Sequence, residues 1–455
     1  MIGALITVWF GKVSSKQLEN VFTGTEMLLD SRDRILILAP HPDDEVLGCG
    51  GIIQKAVKMN LPIKVVFLTY GDNNQWSFFV YRKHPVVMPK AAQRMGLIRH
   101  DEAIQAAREL GLLQEQLIFL GYPDFCTLEI WNSHWGDCLP AKGMLTEIRE
   151  VPYKNAFRPG APYKADEILK DLKTIIKEFN PTKIFLSHPA DHNGDHRALY
   201  LFTRIALLDL KEKVQVELYP YLIHFKRWPD PKGYKPQERL NPPGFFANQI
   251  SWQIYNLTPE EVNCNCRAIK GHSSQYKSSP KYLLSFIRSN ELFGDFPVVP
   301  LGRRRNSIPL QLSRKKDPEK IPEELLDEEQ ASFVGIEDTY ISLEKNNVVF
   351  IIDLSRPLGK NVGVSLFVFG YNETKAFAET PKIHVKFGAF EHKIFDQDRQ
   401  LPMDMLNVNR KPKEINIQIP LEVLGNPHYI LTSVRTYMGS VPLDWTSWRM
   451  LELIE

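Results

Sequence analysis

Between Arg34 and Phe296 the hydrophobic positions fall into short unbroken runs and amphipathic stretches in alternation, the pattern of strands and helices in succession. ILILA within Arg34–Ala39 and IKVVFLT at Ile63–Thr69 are apolar runs of buried-strand type, and GIIQKAVKMN between them has room for a helix ending near Asn60. A further helix is predicted from about Leu97 to Leu110, stopped by Gly111 and followed by a strand from Leu117. Ile168, Leu169, Leu172, Ile175, Ile176 and Phe179 share one face of a helix over Ala165–Phe179, and the strand-like NPTKIFLSHP comes next. Thr258, Pro259 and Glu261 spell a capping box with proline at the first helical position. This order predicts an α/β, Rossmann-like, mostly parallel sheet with helices on both faces.

After Phe296 the periodicity changes. Residues 297–332 combine prolines with a basic half and an acidic half, which predicts a linker. From Phe333 to Glu455 the runs TYISL, VVFIIDL, VGVSLFVFGYN, KIHVKFGAF, INIQIPL and YILTSVRTYM are punctuated by Gly, Pro, Asn and Asp, predicting a C-terminal all-β sandwich-like domain. The expected organisation is a tether over 1–32, an α/β domain over 33–296, a linker over 297–332 and the β domain over 333–455.

Composition narrows the function classes. The chain has 455 residues, of which 43% are hydrophobic, enough for two cores. Its 56 basic and 54 acidic residues leave a net charge of +2, which supplies no field for nucleic acid. Five cysteines without paired metal-ligand spacing predict thiols rather than a disulfide framework. The apolar stretch MIGALITVWFGK is shorter than the about 20 residues of a bilayer span, so no transmembrane span is expected as written. The expected location is cytoplasmic, a preceding signal or anchor being compatible with the polar residues that follow. Oligomeric state is left open.

Chemistry concentrates at two predicted strand ends. In the first, APHPDDEVLGCGG, His41, Asp43, Asp44 and Glu45 arrive directly after a charge-free run. In the second, LSHPADHNGDH, His188, Asp191, His192, Asp195 and His196 crowd together. Ligands of open α/β sheets bind beyond the carboxyl ends of strands, so both loops face the expected cleft. Gly48, Gly50 and Gly51 do not make a dinucleotide loop: the third glycine of that motif falls at Ile53, and the carboxylates repel a pyrophosphate. His and Asp donors with one position left open describe a catalytic zinc site.

The sequence APHPDDEVLGCGG, followed in order by LTYGD, RHDEAIQAARELGL, LGYPD, HPADHNGDHRA, AIKGHSSQY and SNELF, resembles the PIG-L/LmbE-like N-acetylglucosaminyl deacetylases, which are zinc enzymes. The resemblance covers roughly Arg34 to Phe296. It implies His41, Asp44 and His196 as Zn2+ ligands, Asp43 as general base, Asp195 as a residue supporting the ligands, and sugar contacts from Arg99 and Asp124. The implied partner is an N-acetylated amino-sugar substrate. Glu45 is expected to hold the turn and Cys49 to fill space.

One position departs from the family pattern Asp-x-His-x-Asp-His, where the first His stabilises an oxyanion: here it is Asn193. An Asn amide donates a hydrogen bond but cannot act as an acid. His192 and His224 are the alternatives for that contact with substrate. Aromatic and basic residues in the stretch from Asn73 to Gly96 (Trp76, Phe78, Phe79, Tyr81, Arg82, Lys83, Arg94) either meet substrate or pack, and the same choice holds for Trp131, His134 and Trp135. For the β domain the choice lies between carbohydrate binding through exposed Tyr437, Trp445 or Trp448 and packing against the α/β domain. Two function classes follow: a zinc-dependent N-deacetylase, or a metal-retaining carbohydrate-binding protein of the same fold without turnover.

Overall fold

The computed structural model describes residues 24–73, 88–247, 249–302, 309–314 and 325–454. The N-terminal apolar stretch and Trp76, Phe78, Phe79, Tyr81, Arg82 and Lys83 lie outside them. Strand β1 (Thr25–Glu26) is followed by five strands that form the central sheet: β2 (Ile35–Ala39), β3 (Ile63–Thr69), β4 (Leu117–Tyr122), β5 (Lys183–Ser187) and β6 (Glu217–Tyr221). All neighbours are parallel, in the order β4-β3-β2-β5-β6. The strand order therefore reverses between β2 and β5, and the loops leaving these two strands diverge to open a crevice.

Alternation along β2 divides the core in two. Ile35, Ile37 and Ala39 face helices α1 (Asp44–Lys58), α2 (Pro89–Glu109) and a C-terminal helix over Pro259–Gly271. Leu36 and Leu38 face the helices over Ala165–Phe179 and Gly194–Leu210 on the other side. The helix over Ala165–Phe179 has the bounds expected from its apolar face, and Thr258 caps its helix through the Glu261 amide while Glu261 reaches back to the Thr258 amide. Helix α2 begins at Pro89 rather than near Leu97, because Ala92 and Met95 continue its buried face. The glycines after the acidic turn serve packing: a side chain at Gly48 would meet the Tyr221 ring at 2.6 Å.

The connectors are more structured than their composition suggests. Thr25 and Glu26 pair in parallel with Gln253 and Ile254, and Met27 is buried. Val299–Gly302 pairs with the last strand and Leu310–Arg314 with the strand over Ile336–Glu344, so the stretch read as a linker supplies two strands. Polar and proline-rich residues sit comfortably on such edge strands.

Beyond them, a five-stranded and an eight-stranded sheet enclose a common apolar core in a sandwich-like arrangement. The strand over Val362–Tyr371 is buried on both faces: Val364, Leu366 and Val368 enter that core, while Phe367, Phe369 and Tyr371 enter the core of the α/β domain. There they meet Trp131, Trp135 and Trp448, all buried. Trp131, Trp135 and Trp448 are therefore packing residues, not exposed platforms for sugar.

Candidate metal and catalytic site

The crevice between β2 and β5 is a cleft of about 170 Å³ whose lining includes His41, Asp43, Asp44, Asn193, His224 and Tyr282. His41 follows β2 directly, and its amide donates to Asp44 Oδ2 at 3.0 Å, folding the loop back on itself. The same oxygen lies 3.1 Å from His41 Nδ1 and 3.1 Å from His196 Nε2, and the two ring nitrogens are 3.3 Å apart. A tetrahedral ion with ligands at about 2.0–2.1 Å spaces them by roughly 3.3 Å, so this triangle has the size of one face of such a site.

The outward nitrogens of both rings meet carboxylates. His41 Nε2 is 3.1 Å from Asp195 Oδ2 and 3.0 Å from Asp124 Oδ1, and His196 Nδ1 is 3.1 Å from Asp191 Oδ2. A carboxylate on the far nitrogen is the usual support of a metal-bound histidine. Each supporting acid is fixed in turn. Asp195 Oδ1 accepts from the Thr127 amide and hydroxyl, and Asp191 accepts from the amides of Asn193, Ile223 and His224. The donor set thus fits a divalent cation in type, spacing and support. Burial alone would lower the His196 pKa, but Asp191 and Asp44 outweigh it and push the ring up to about 9. His41 is likewise driven well above its ordinary range against its own burial, by Asp124, Asp195 and Asp44. The pocket has more negative charge than its imidazoles neutralise, which favours a cation.

Asp43 lies beside this cluster without joining it. It stands at the N-cap of α1 but makes no side-chain cap, and its backbone has φ 123° and ψ −28°. Burial raises its carboxyl to about 7, opposed by the Arg99 guanidinium 3.5 Å away. A carboxyl near neutrality, within a cleft, is suited to proton transfer.

Of the other residues expected at the site, Arg99 and Asp124 line the cleft and His192 does not. Arg99 lines the cleft, yet its terminal nitrogens are engaged by Gly71 O at 3.0 Å and Pro42 O at 2.7 Å. Asp124 is buried against His41 and accepts the Asn73 amide at 3.0 Å, so its carboxylate is held against the His41 ring. His192 packs its ring on Phe225 and Trp445, outside the cleft lining. His188 is buried among Phe246, Trp252 and Phe296, with burial holding its pKa down near 3.

Asn193 lines the cleft; its Oδ1 accepts the Asp195 amide at 2.8 Å and caps the helix, which leaves its NH₂ as donor. His224 reaches the cluster from the loop after β6, with a ring nitrogen near the nitrogens of His41 and His196 and the carboxylate oxygen of Asp44. Its Nδ1 is 3.2 Å from the Tyr282 hydroxyl, which itself donates to Ile223 O at 3.0 Å. The Tyr282 hydroxyl thus bridges the Ile223 carbonyl and the His224 ring. Burial holds the His224 pKa down near 4, so the ring is neutral.

Asp191, Tyr282 and Phe125 received no role in the sequence reading. Asp191 stood in the ligand-rich motif, but the partner that gives it a role is assigned only by the fold. Tyr282 and Phe125 carry no local signal at all.

A family model described as PIG-L, GlcNAc-PI de-N-acetylase, matches residues 36–207. A search of curated proteins returned no match. Among solved structures, N,N'-diacetylchitobiose deacetylase from Pyrococcus horikoshii is similar at 18% identity over 55% of this chain and 75% of that one, with a TM-score of 0.35. The A40926 pseudoaglycone deacetylase Dbv21 is similar at 16% identity over 58% and 96%, with a TM-score of 0.39. GalB, the 4-carboxy-2-hydroxymuconate hydratase from Pseudomonas putida KT2440, is similar at 14% identity over 59% and 98%, with a TM-score of 0.33.

Proposed function

We propose that this chain, whose residues 36–207 match the PIG-L family model, is a zinc-dependent hydrolase that removes the N-acetyl group from an N-acetylglucosaminyl-type sugar or glycoconjugate. The observation that carries the reading is the His41, Asp44 and His196 triangle, beside which Asp43 is free of the ligand set.

His41, Asp44 and His196 would hold the metal, with Asp195 and Asp124 orienting His41 and Asp191 orienting His196. When bound, zinc supplies Lewis acidity and lowers the pKa of water toward neutrality. Asp43 takes a proton from the attacking water as oxygen adds to the amide carbonyl carbon. The same carboxylic acid returns that proton to the amine nitrogen as the carbon–nitrogen bond breaks, giving acetate and a free amino sugar. Arg99 limits the rise in Asp43's pKa, so the carboxylate form is accessible near neutral pH. Asn193 donates from its amide to the developing oxyanion. His224, which lines the same cleft, is the alternative donor.

The test is acetate release from N-acetylglucosamine glycosides, chitooligosaccharides and N-acetylglucosaminyl lipids, with and without a chelator. Chelator-sensitive release from one class supports the reading. Saturable binding of these sugars without acetate release would identify a binding protein instead.

A further inference from the structure

We infer that the buried pair His272 and Glu45 is a positioning relay that holds Asp43 in its outward-facing conformation. The inference rests on the role proposed above for Asp43, but its geometry can be tested separately.

An aspartate at a helix N-cap ordinarily turns its carboxylate back onto the amides of the first turn. Asp43 does not, because φ 123° swings it away from α1 and into the cleft. A non-glycine residue with such a backbone is strained and persists only where its surroundings impose it. The imposing contacts are identifiable. The peptide unit joining Pro42 to Asp43 is gripped at both ends: Arg99 Nη2 donates to the Pro42 carbonyl at 2.7 Å, and Glu45 Oε2 accepts the Asp43 amide at 2.8 Å. The next peptide unit is held too, its Asp43 carbonyl accepting the amides of Val46 at 3.1 Å and Leu47 at 3.0 Å, so Asp43 is set between two anchored planes.

Glu45 needs a hold of its own, since a carboxylate free to turn would release the amide. Its other oxygen, Oε1, lies 3.0 Å from His272 Nε2, and both side chains are fully buried. His272 stands at the junction between the helix over Pro259–Gly271 and a short helix over Ser273–Ser278. That junction is anchored to α2 by Glu102, which accepts from the Ser274 amide at 2.8 Å and from its hydroxyl at 2.7 Å. Arg99 and Glu102 are one turn apart on α2. One helix therefore fixes both sides of the clamp, and a residue far along the chain sets the aim of the proposed base.

The experiment compares His272→Gln and His272→Leu in the full-length, zinc-loaded protein, by crystal structure, metal content and steady-state kinetics. Gln retains a donor for Glu45; Leu removes it. His272→Gln is expected to keep positive φ at Asp43 and kcat near wild type. His272→Leu is expected to let Asp43 relax to negative φ and cap α1, lowering kcat roughly 100-fold, the scale of a misplaced reacting group, with KM and metal content unchanged. If the Leu variant does not fold, Glu45→Met removes the acceptor at similar length and carries the same expectation. Positive φ retained in the Leu or Met variant, or kcat lost without movement of Asp43, would overturn the inference. If the wild type deacetylates no acetamido sugar, the function proposed above fails, while the crystal structures still decide whether His272 positions Asp43.

Discussion

Asp195 fixes His41 and the neighbouring loop with one oxygen: Oδ2 lies 3.1 Å from His41 Nε2 and accepts the Phe125 amide at 2.6 Å. Phe125 has φ 59° and a half-exposed ring stacked near that of His41, so the loop and the His41 ring are oriented together. Replacing Asp195 by Asn leaves one acceptor oxygen for these contacts and those of Thr127. Asp195→Asn should weaken metal binding by roughly 10–100-fold, the range for residues that support a ligand. Competition with a chelator of known affinity measures it; unchanged affinity would mean that Asp124 alone orients His41.

Asn193→Ala should lower kcat more than it raises KM, by about 3 kcal/mol for a lost oxyanion donor. His192→Ala should leave kcat largely intact, because that ring packs on Phe225 and Trp445. The kinetics of both variants on one acetylated substrate, after metal content is shown equal, check the assignment. A silent Asn193→Ala contradicts it.

Glu291 gives a stability test away from the cleft. It is buried and accepts the amides of Gly51 at 2.5 Å and Ile52 at 3.2 Å; burial pushes its carboxyl from 4.5 up to about 8. The folded state therefore favours the neutral acid. The resulting stability is fully present below about pH 4.5 and is lost as pH rises through about 8, with a slope of at most about 1.4 kcal/mol per pH unit. Urea midpoints of the wild type and Glu291→Gln across this range should show the wild type falling relative to the variant. A constant difference would contradict the shift.

Trp448 belongs to the core shared by the two domains, where it meets Trp131 with ring centroids 6.2 Å apart. Trp448→Ala should cost roughly 3–5 kcal/mol, the range for truncating a buried aromatic. A single lowered unfolding transition is expected in calorimetry, because both domains lose the same contact. Loss confined to a separate β-domain transition would show that the shared core does not couple them.

Much of the fold was legible because local patterns and tertiary burial agree. Ile63–Thr69 and Ala165–Phe179 have the expected bounds, and the Thr258 capping box forms as spelled. The two ligand-rich loops could be paired before the structure because both end adjacent strands. What stayed hidden depends on contacts across long sequence distances. Phe369 alternates like any sandwich residue, and nothing local says that its face meets a second domain. Val299–Gly302 lacks a strand's composition and acquires its place by pairing with Leu451–Ile454. Arg99 looks like a free cation until Gly71 and Pro42 are seen on its nitrogens. His224 and its partner Tyr282 are brought together across 58 residues of chain by the fold alone.

The central claim is the division of labour between two adjacent acids, and Asp43→Asn compared with Asp44→Asn tests it most directly. Metal content by elemental analysis and acetate release are measured on the same preparations. The account predicts that Asp43→Asn keeps one equivalent of zinc and loses roughly 100-fold or more in turnover, as for a missing general base. It predicts that Asp44→Asn loses the metal itself. Full metal in both variants, with only Asp44→Asn inactive, would contradict it.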